Sequence, residues 1–141
     1  MVNLVIVTHG EFGAYLVEAA ESIVGRQPEG VRVVSVSARL SVDEVRRRLR
    51  AAVDELQGPG GLIVATDIPG GTPSNIALPL VKDADDVVVV SGLNLYMLIS
   101  AFSHRAALGL GEVAARMLSD GQRSIRDMKE ALRGARPRGG A

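Results

Sequence analysis

The stretch NLVIVTHG, residues 3–10, decides the fold that this sequence predicts. Its aliphatic and β-branched run over residues 3–8 is typical of a strand that is buried on both faces. Apolar and small residues then recur at helical spacing over Phe12–Val24, and Gly25 is placed to end that helix. A buried strand followed at once by a helix begins a βαβ unit, so we expect a parallel sheet.

The rest of the chain repeats this alternation of strands and helices. Further strands are predicted at Val31–Val36, Leu62–Thr66 and residues 87–91, and further helices at residues 41–56, 73–81, 94–108 and 111–132. The second strand carries Arg32 and Ser35, which suits an edge of the sheet, whereas the other three strands are uniformly apolar. With right-handed crossovers, these positions favour the strand order 2-1-3-4. The sequence therefore predicts one α/β domain with a four-stranded parallel sheet and helices on both faces.

The domain is expected to cover residues 1–132. The last segment, residues 133–141, reads RGARPRGGA and has too few apolar residues to pack against a core. We therefore expect residues 133–141 to be a disordered tail.

Composition excludes several classes of protein. The chain has no cysteine, which excludes disulfide scaffolds, zinc fingers, iron–sulfur clusters and thiol catalysis. Sixteen basic side chains balance sixteen acidic ones, and aromatic residues are scarce at 3%, so nucleic-acid binding is not expected. No apolar run approaches the roughly 20 residues that span a bilayer, and no signal peptide precedes the first strand. We expect a cytoplasmic protein without direct membrane insertion.

Two residues with ionisable side chains lie at the ends of neighbouring strands of the predicted sheet. His9 ends the first strand and Asp67 follows the third. In the order 2-1-3-4 the topological switch lies between these two strands, and such folds bind ligands beyond the carboxyl ends of the strands at that point. A histidine held by a carboxylate is a nucleophile or a base with a fixed tautomer. We therefore predict that His9 and Asp67 are the catalytic pair.

A glycine-rich turn, GGTPSN at residues 70–75, follows Asp67. Its glycines allow backbone amides to approach a ligand, Thr72 is a natural N-cap, and proline suits the first helical position. A helix N-terminus with free amides is an anion site, so phosphate binding is predicted for Gly70, Gly71, Thr72 and Ser74. The turn lacks the lysine of G-x-x-x-x-G-K and is not G-x-G-x-x-G, so a nucleotide is not expected.

Two other polar features have structural interpretations. In the segment SGLN, residues 91–94, Gly92 fits an unusual turn and Asn94 fits a cap for the next helix. His104 lies within a predicted helix and receives no role in the site.

The predicted site favours a phosphohistidine. The imidazole attacks phosphorus, and the helix N-terminus stabilises the charge on the transferred group. No cluster of carboxylates suited to Mg²⁺ is visible, so the donor is expected to be another phosphorylated protein. No metal and no cofactor is predicted.

Three segments together resemble one known family. VIVTHG (residues 5–10), TDIPGGTPSN (66–75) and SGLNLYML (91–98) are similar to the IIA domain of the mannose (mannose–fructose–sorbose) family of the bacterial sugar phosphotransferase system. The resemblance covers roughly residues 2–130 and implies an α/β phosphocarrier between phospho-HPr and a IIB partner. It implies that His9 is phosphorylated, that Asp67 orients it, and that Thr72 matches the hydroxyl residue beside the phosphate.

The resemblance also implies a homodimer, since family members commonly dimerise. Some members exchange a C-terminal strand, which would add an edge strand to the sheet. Residues 95–110 carry more apolar side chains than one small domain is expected to bury by itself. A second copy of the chain that covers them is therefore favoured. The chain departs from the family at Pro69, where an aromatic residue is frequent, and at Tyr96, where a proline is frequent. No IIB domain follows, so we expect a separate IIA protein or a fragment.

Four alternatives compete with this interpretation. One is the phosphocarrier subunit of a dihydroxyacetone kinase, and another is a signalling phosphoprotein without sugar transport. A receiver domain would need acidic residues after the first strand, where this chain has Thr8, His9 and Gly10. A hydrolase would need a nucleophile elbow such as G-x-S-x-G, which the sequence lacks.

Overall fold

In a computed structural model of the chain, which describes residues 1–134, four parallel strands form one sheet in the order β2-β1-β3-β4. The strands are β1 (Asn3–His9), β2 (Val31–Val36), β3 (Leu62–Thr66) and β4 (Val87–Val90). The helices are α1 (Phe12–Val24), α2 (Val42–Leu56), α3 (Thr72–Val81), α4 (Leu95–His104), α5 (Leu110–Arg123) and α6 (Met128–Gly134). The predicted fold class and strand order are confirmed.

The sheet separates two apolar cores. Successive side chains of a strand point to opposite faces, so Leu4 and Ile6 join the core beneath α1, α4 and α5. Val5 and Val7 join the core beneath α2 and α3. All four side chains are fully buried, which explains why β1 is apolar at consecutive positions instead of alternating.

The register of the sheet brings three strand ends together. His9 of β1 pairs with Val36 of β2, and Val7 of β1 pairs with Thr66 of β3. The residues that follow β2 and β3 therefore flank His9 at the carboxyl edge of the sheet. We call this edge, with the loops after β1, β2, β3 and β4, the carboxyl rim.

The segment after β4 differs from the prediction. It forms three helices, α4, α5 and α6, instead of two longer ones, and His104 is the last residue of α4. Met97, Leu98 and Phe102 are buried within the chain against α1 and α5. Four other apolar side chains of this segment are only partly buried against the same core: Leu95, Ile99, Leu108 and Leu110. The chain itself thus covers much of the apolar content of this segment, and the dimer stays a prediction.

The C-terminal end of the described chain is helical. Among residues 1–134, none after β4 forms a strand. Arg133 and Gly134 end α6, and the rest of the predicted tail, residues 135–141, lies outside the described residues. The domain boundary at residue 132 stays a prediction. Among residues 1–134 we find no helix with the length and apolar character of a membrane span.

A buried arginine at the amino edge of the sheet is a feature that the sequence analysis missed. Arg105 directly follows α4 and is only 2% exposed. Its Nε donates to the carbonyl of Val2 at 2.8 Å, and one terminal nitrogen donates to the Gln27 side chain at 3.0 Å and the Glu29 carbonyl at 2.9 Å. The guanidinium therefore ties α4 to the start of β1 and to the turn before β2.

We predict that Arg105→Ala lowers the free energy of unfolding by about 3 kcal/mol, because it leaves the buried carbonyl of Val2 and the partly buried carbonyl of Glu29 without these donors. Exposed Arg50 in α2 provides the control, and Arg50→Ala is expected to stay within about 0.5 kcal/mol of the wild type. Urea unfolding of the three proteins measures the difference. Equal losses in both variants would contradict the role assigned to Arg105.

Candidate functional site

The structure brings His9 and Asp67 into direct contact on the carboxyl rim. Nδ1 of His9 lies 2.7 Å from Oδ2 of Asp67, and the same oxygen accepts the backbone N–H of His9 at 2.9 Å. The His9 side chain is 49% exposed, whereas that of Asp67 is 10% exposed. The carboxylate is thus sheltered behind an imidazole whose outer edge faces solvent.

Hydrogen bonds keep the Asp67 carboxyl group ionised. Burial by itself would raise the pKa of Asp67, but the backbone N–H of His9, its ring and the backbone N–H of Ile68 outweigh burial and lower this pKa below its usual range. An ionised carboxylate has no hydrogen to donate. The hydrogen in the contact with His9 therefore belongs to Nδ1, and the neutral ring keeps a free lone pair on Nε2.

The loop after Asp67 approaches the imidazole closely at Gly71. A Cβ atom at Gly71 would lie 3.0 Å from Cε1 of His9 and 3.0 Å from Cγ1 of Ile68, so a side chain there would displace one of them. Gly70 has a φ of +78°, in the region that favours glycine. Glycine therefore suits both positions, Gly70 for its backbone conformation and Gly71 for the close approach to His9.

Helix α3 begins one residue earlier than predicted. Gly71 is the N-cap, and its carbonyl accepts the N–H of Asn75 at 2.9 Å. Thr72 is the first helical residue and makes no side-chain cap, so the predicted capping role of Thr72 was wrong. Pro73 has no N–H, and the N–H groups of Thr72 and Ser74 lie in the first turn, where a helix supplies no partner.

A cleft of about 290 Å³ lies between His9 and Thr72. Its other wall comes from the end of β2 and the start of α2, which the sequence analysis did not include: Val36, Ser37, Ala38, Leu40, Val42 and Val45. The strand order 2-1-3-4 could have predicted this wall, since it places the carboxyl end of β2 beside that of β1.

The Ser74 hydroxyl points into the protein. Ser74 is 5% exposed, its Oγ donates to the carbonyl of Ile68 at 2.8 Å, and it lies 2.8 Å from Oγ1 of Thr66. Of the residues predicted to bind phosphate, Gly71 and Thr72 lie beside His9. The Ser74 hydroxyl is used inside the protein, so only its backbone N–H in the first turn of α3 is left for a ligand.

The remaining polar features behave as the sequence predicted. Gly92 has a φ of +80°, and the Asn94 side chain caps α4 by accepting the N–H of Met97 at 3.0 Å. His104 is half-buried at the far end of α4, next to Arg105 at the amino edge of the sheet. The structure thus separates His104 from the carboxyl rim.

Sequence comparisons identify relatives of this chain. The family model described as "PTS system fructose IIA component" matches residues 3–118. The fructose-specific EIIA component of Bacillus subtilis (strain 168) is 24% identical over 132 residues, covering 94% of this chain and 90% of that protein. The mannose-specific EIIAB component of Escherichia coli (strain K12) is 26% identical over 129 residues, covering 91% of this chain. The chain spans 40% of the length of that E. coli relative.

Solved structures share the fold over almost the whole chain. An EIIA component from Streptococcus agalactiae is 30% identical, with a TM-score of 0.82, and covers 92% of this chain and 99% of its own. A IIA protein associated with the fucose utilization operon of Streptococcus pneumoniae is 27% identical, with a TM-score of 0.85, over 93% of this chain and 96% of its own.

The ionised state of Asp67 predicts a pH-dependent contribution to stability. Because folding lowers the pKa of Asp67, its contribution is complete at neutral pH and is lost as the pH falls below about 4. Asp67→Asn should therefore be less stable than the wild type at pH 7, and this difference should shrink at about pH 3, because the unfolded carboxyl group then binds a proton and the advantage of the lowered folded pKa is partly lost. Urea unfolding of both proteins at the two pH values measures the difference, and an unchanged difference would contradict the prediction.

Proposed function

Because the chain belongs to the PTS system fructose IIA component family, the mannose-type IIA proteins of the sugar phosphotransferase system, we propose that His9 carries a phosphoryl group. The donor is phospho-HPr and the acceptor is a IIB partner. The observation that carries this proposal is the 2.7 Å contact between Nδ1 of His9 and Asp67, which leaves Nε2 free on a half-exposed side chain.

The transfer needs only groups that the rim supplies. The Nε2 lone pair attacks phosphorus, the bond from phosphorus to the donor breaks, and its electron pair returns to the donor. The hydrogen on Nδ1 stays in place, so the phosphorylated ring becomes cationic. The Asp67 carboxylate stabilises that positive charge in the same way as it holds the ring before the transfer.

The start of α3 is the proposed site of the phosphoryl oxygens. The N–H groups of Thr72 and Ser74, those of Gly70 and Gly71, and the Thr72 hydroxyl are the donors in this proposal. The position of Thr72 in the His9 cleft supports it, as does the close approach of Gly71 to Cε1 of His9. The positive end of the α3 dipole favours the charge that develops on the transferred group.

Exposed apolar residues near His9 support a docking surface for the two partners. Phe12 begins α1 just after His9, Ile68 follows Asp67, and Val42 lines the His9 cleft, and each of these side chains is exposed. A carrier must release each partner after transfer, so a modest and transient interface fits this function. The cytoplasmic location predicted from the sequence is part of the same proposal.

A homodimer is a further part of the proposal. Ile125, Met128 and Leu132 follow one another at three- and four-residue spacing, and each is at least 63% exposed. No residue of α6 is buried within the chain, so this apolar stripe is available to a second copy. Sedimentation at micromolar concentration is expected to show a dimer, and Met128→Asp is expected to shift it towards the monomer. A wild-type protein that sediments only as a monomer would contradict the dimer.

Phosphorylation of His9 is the first test of the function. Incubation with phosphoenolpyruvate, enzyme I and a matched HPr is expected to add one acid-labile phosphoryl group, measured by intact mass at neutral and acid pH. His9→Ala should abolish this labelling, because no other group of the site has a free nucleophilic nitrogen. His104→Ala is the control and should label normally, since His104 lies at the opposite edge of the sheet. Labelling of His9→Ala would contradict the proposal.

The role of Asp67 predicts the ring atom and the rate. Asp67→Asn removes the compensating charge and can donate to Nδ1, which favours the wrong tautomer. We expect transfer to slow by roughly a hundredfold, a barrier increase of about 3 kcal/mol, while phosphorus–nitrogen NMR couplings in the wild type place the phosphoryl group on Nε2. Couplings to Nδ1, or an undiminished rate in Asp67→Asn, would contradict this mechanism.

A further inference from the structure

Three hydroxyl groups, those of Thr66, Ser74 and Ser91, form a cluster behind the His9–Asp67 pair. We infer that Ser74 is a positioning residue for the transfer: its hydroxyl holds Ile68, and Ile68 holds the Asp67 carboxylate in the orientation that His9 requires. This inference rests on the proposed function and deepens it, because it assigns the Ser74 hydroxyl to the carboxylate instead of the phosphoryl group.

A short series of hydrogen bonds connects Ser74 to the imidazole. The Ser74 hydroxyl donates to the carbonyl of Ile68 at 2.8 Å, and the N–H of Ile68 donates to Oδ1 of Asp67 at 3.0 Å. The other carboxylate oxygen, Oδ2, contacts Nδ1 of His9 at 2.7 Å. Ile68 is therefore held at its carbonyl by α3 and itself holds the carboxylate at its N–H.

The hydroxyl cluster anchors Ser74 on the side away from His9. Thr66 is fully buried at the end of β3, and its Oγ1 lies 2.8 Å from the Ser74 oxygen and donates to the Ser91 oxygen at 2.8 Å. The cluster thus joins the end of β3, the first turn of α3 and the residue after β4. Each hydroxyl has one hydrogen and Ser74 gives its own to Ile68, so the single Thr66 hydrogen serves either Ser91 or Ser74. These buried contacts restrict the positions of all three elements.

The orientation of the carboxylate depends on this support. Oδ2 of Asp67 accepts both the backbone N–H and the ring of His9, whereas Oδ1 accepts the N–H of Ile68. If the Ile68 backbone shifts after its carbonyl is released, Oδ1 of Asp67 loses the N–H of Ile68 and the carboxylate can rotate about its last bond. Oδ2 then leaves Nδ1, and the hydrogen of the neutral ring is free to move to Nε2, the atom that must stay unprotonated to attack phosphorus.

The test compares two buried serines. Ser74→Ala removes the hydroxyl that holds Ile68. Ser100→Ala is the matched control, since Ser100 is 3% exposed and its hydroxyl donates to Asp120 at 2.7 Å between α4 and α5. Nitrogen-15 NMR at about pH 9, where a histidine side chain is neutral, reports the tautomer of unphosphorylated His9.

The wild type and Ser100→Ala are expected to show the Nδ1–H tautomer and equal transfer rates from phospho-HPr. Ser74→Ala is expected to show a mixture of both tautomers and transfer that is about tenfold slower. Thr66→Val keeps the shape of its side chain but removes the oxygen that anchors Ser74. The Ser74–Ile68 bond is loosened, so a smaller population of the second tautomer is expected. If Ser74→Ala does not fold, the tautomer and transfer rate of Thr66→Val test the positioning role instead.

A wild-type tautomer and rate in Ser74→Ala, or in Thr66→Val where Ser74→Ala is unfolded, would overturn the positioning role. The tautomer measurement needs no phosphoryl donor. If the variants differ from the wild type in tautomer as expected but the wild type is never labelled by phospho-HPr, only the proposed function is contradicted.

Discussion

The Asp67 carboxylate accepts three N–H groups, two from His9 and one from Ile68, and the geometry of the carboxyl rim depends on this arrangement. It links β1 to the loop after β3 just beyond the last residue pair of their ladder. It also decides which nitrogen of the imidazole carries the hydrogen. One sheltered negative charge therefore connects the fold to the proposed chemistry, because the same hydrogen bonds that lower the pKa of Asp67 orient the imidazole of His9.

Polar groups hold the sheet at both ends, and apolar packing holds its centre. At the amino edge the Arg105 guanidinium binds the carbonyls of Val2 and Glu29, while at the carboxyl edge Asp67 binds the N–H groups of His9. Arg105 donates to carbonyl groups and Asp67 accepts from N–H groups, so each charge lies beside partial charges of the opposite sign. Each is sheltered within a chain that otherwise buries aliphatic side chains on both faces of the sheet.

The site combines rigid and open parts. Gly71 lets the backbone approach the imidazole, while Thr66 and Ser74 fasten the same loop from within. The outer edge of His9 stays exposed beside a cleft with an apolar wall. The proposed carrier function needs both properties, since the imidazole must be held in one orientation and must also be reached by two partners in turn. The hydroxyl cluster supplies the first property without closing the site.

The sequence by itself determined the sheet, its order and the pair of residues at its switch point. Uniform burial on both faces requires aliphatic strands, so β1 and β3 are visible locally, and the crossover rule then brings His9 and Asp67 together across 58 positions. Only the tertiary structure decided that Gly71 caps α3, that residues after β2 line the cleft, that Arg105 turns inward and that the Ser74 hydroxyl points away from His9. Local periodicity reports which residues are apolar, whereas the direction of a polar side chain depends on partners that distant segments supply.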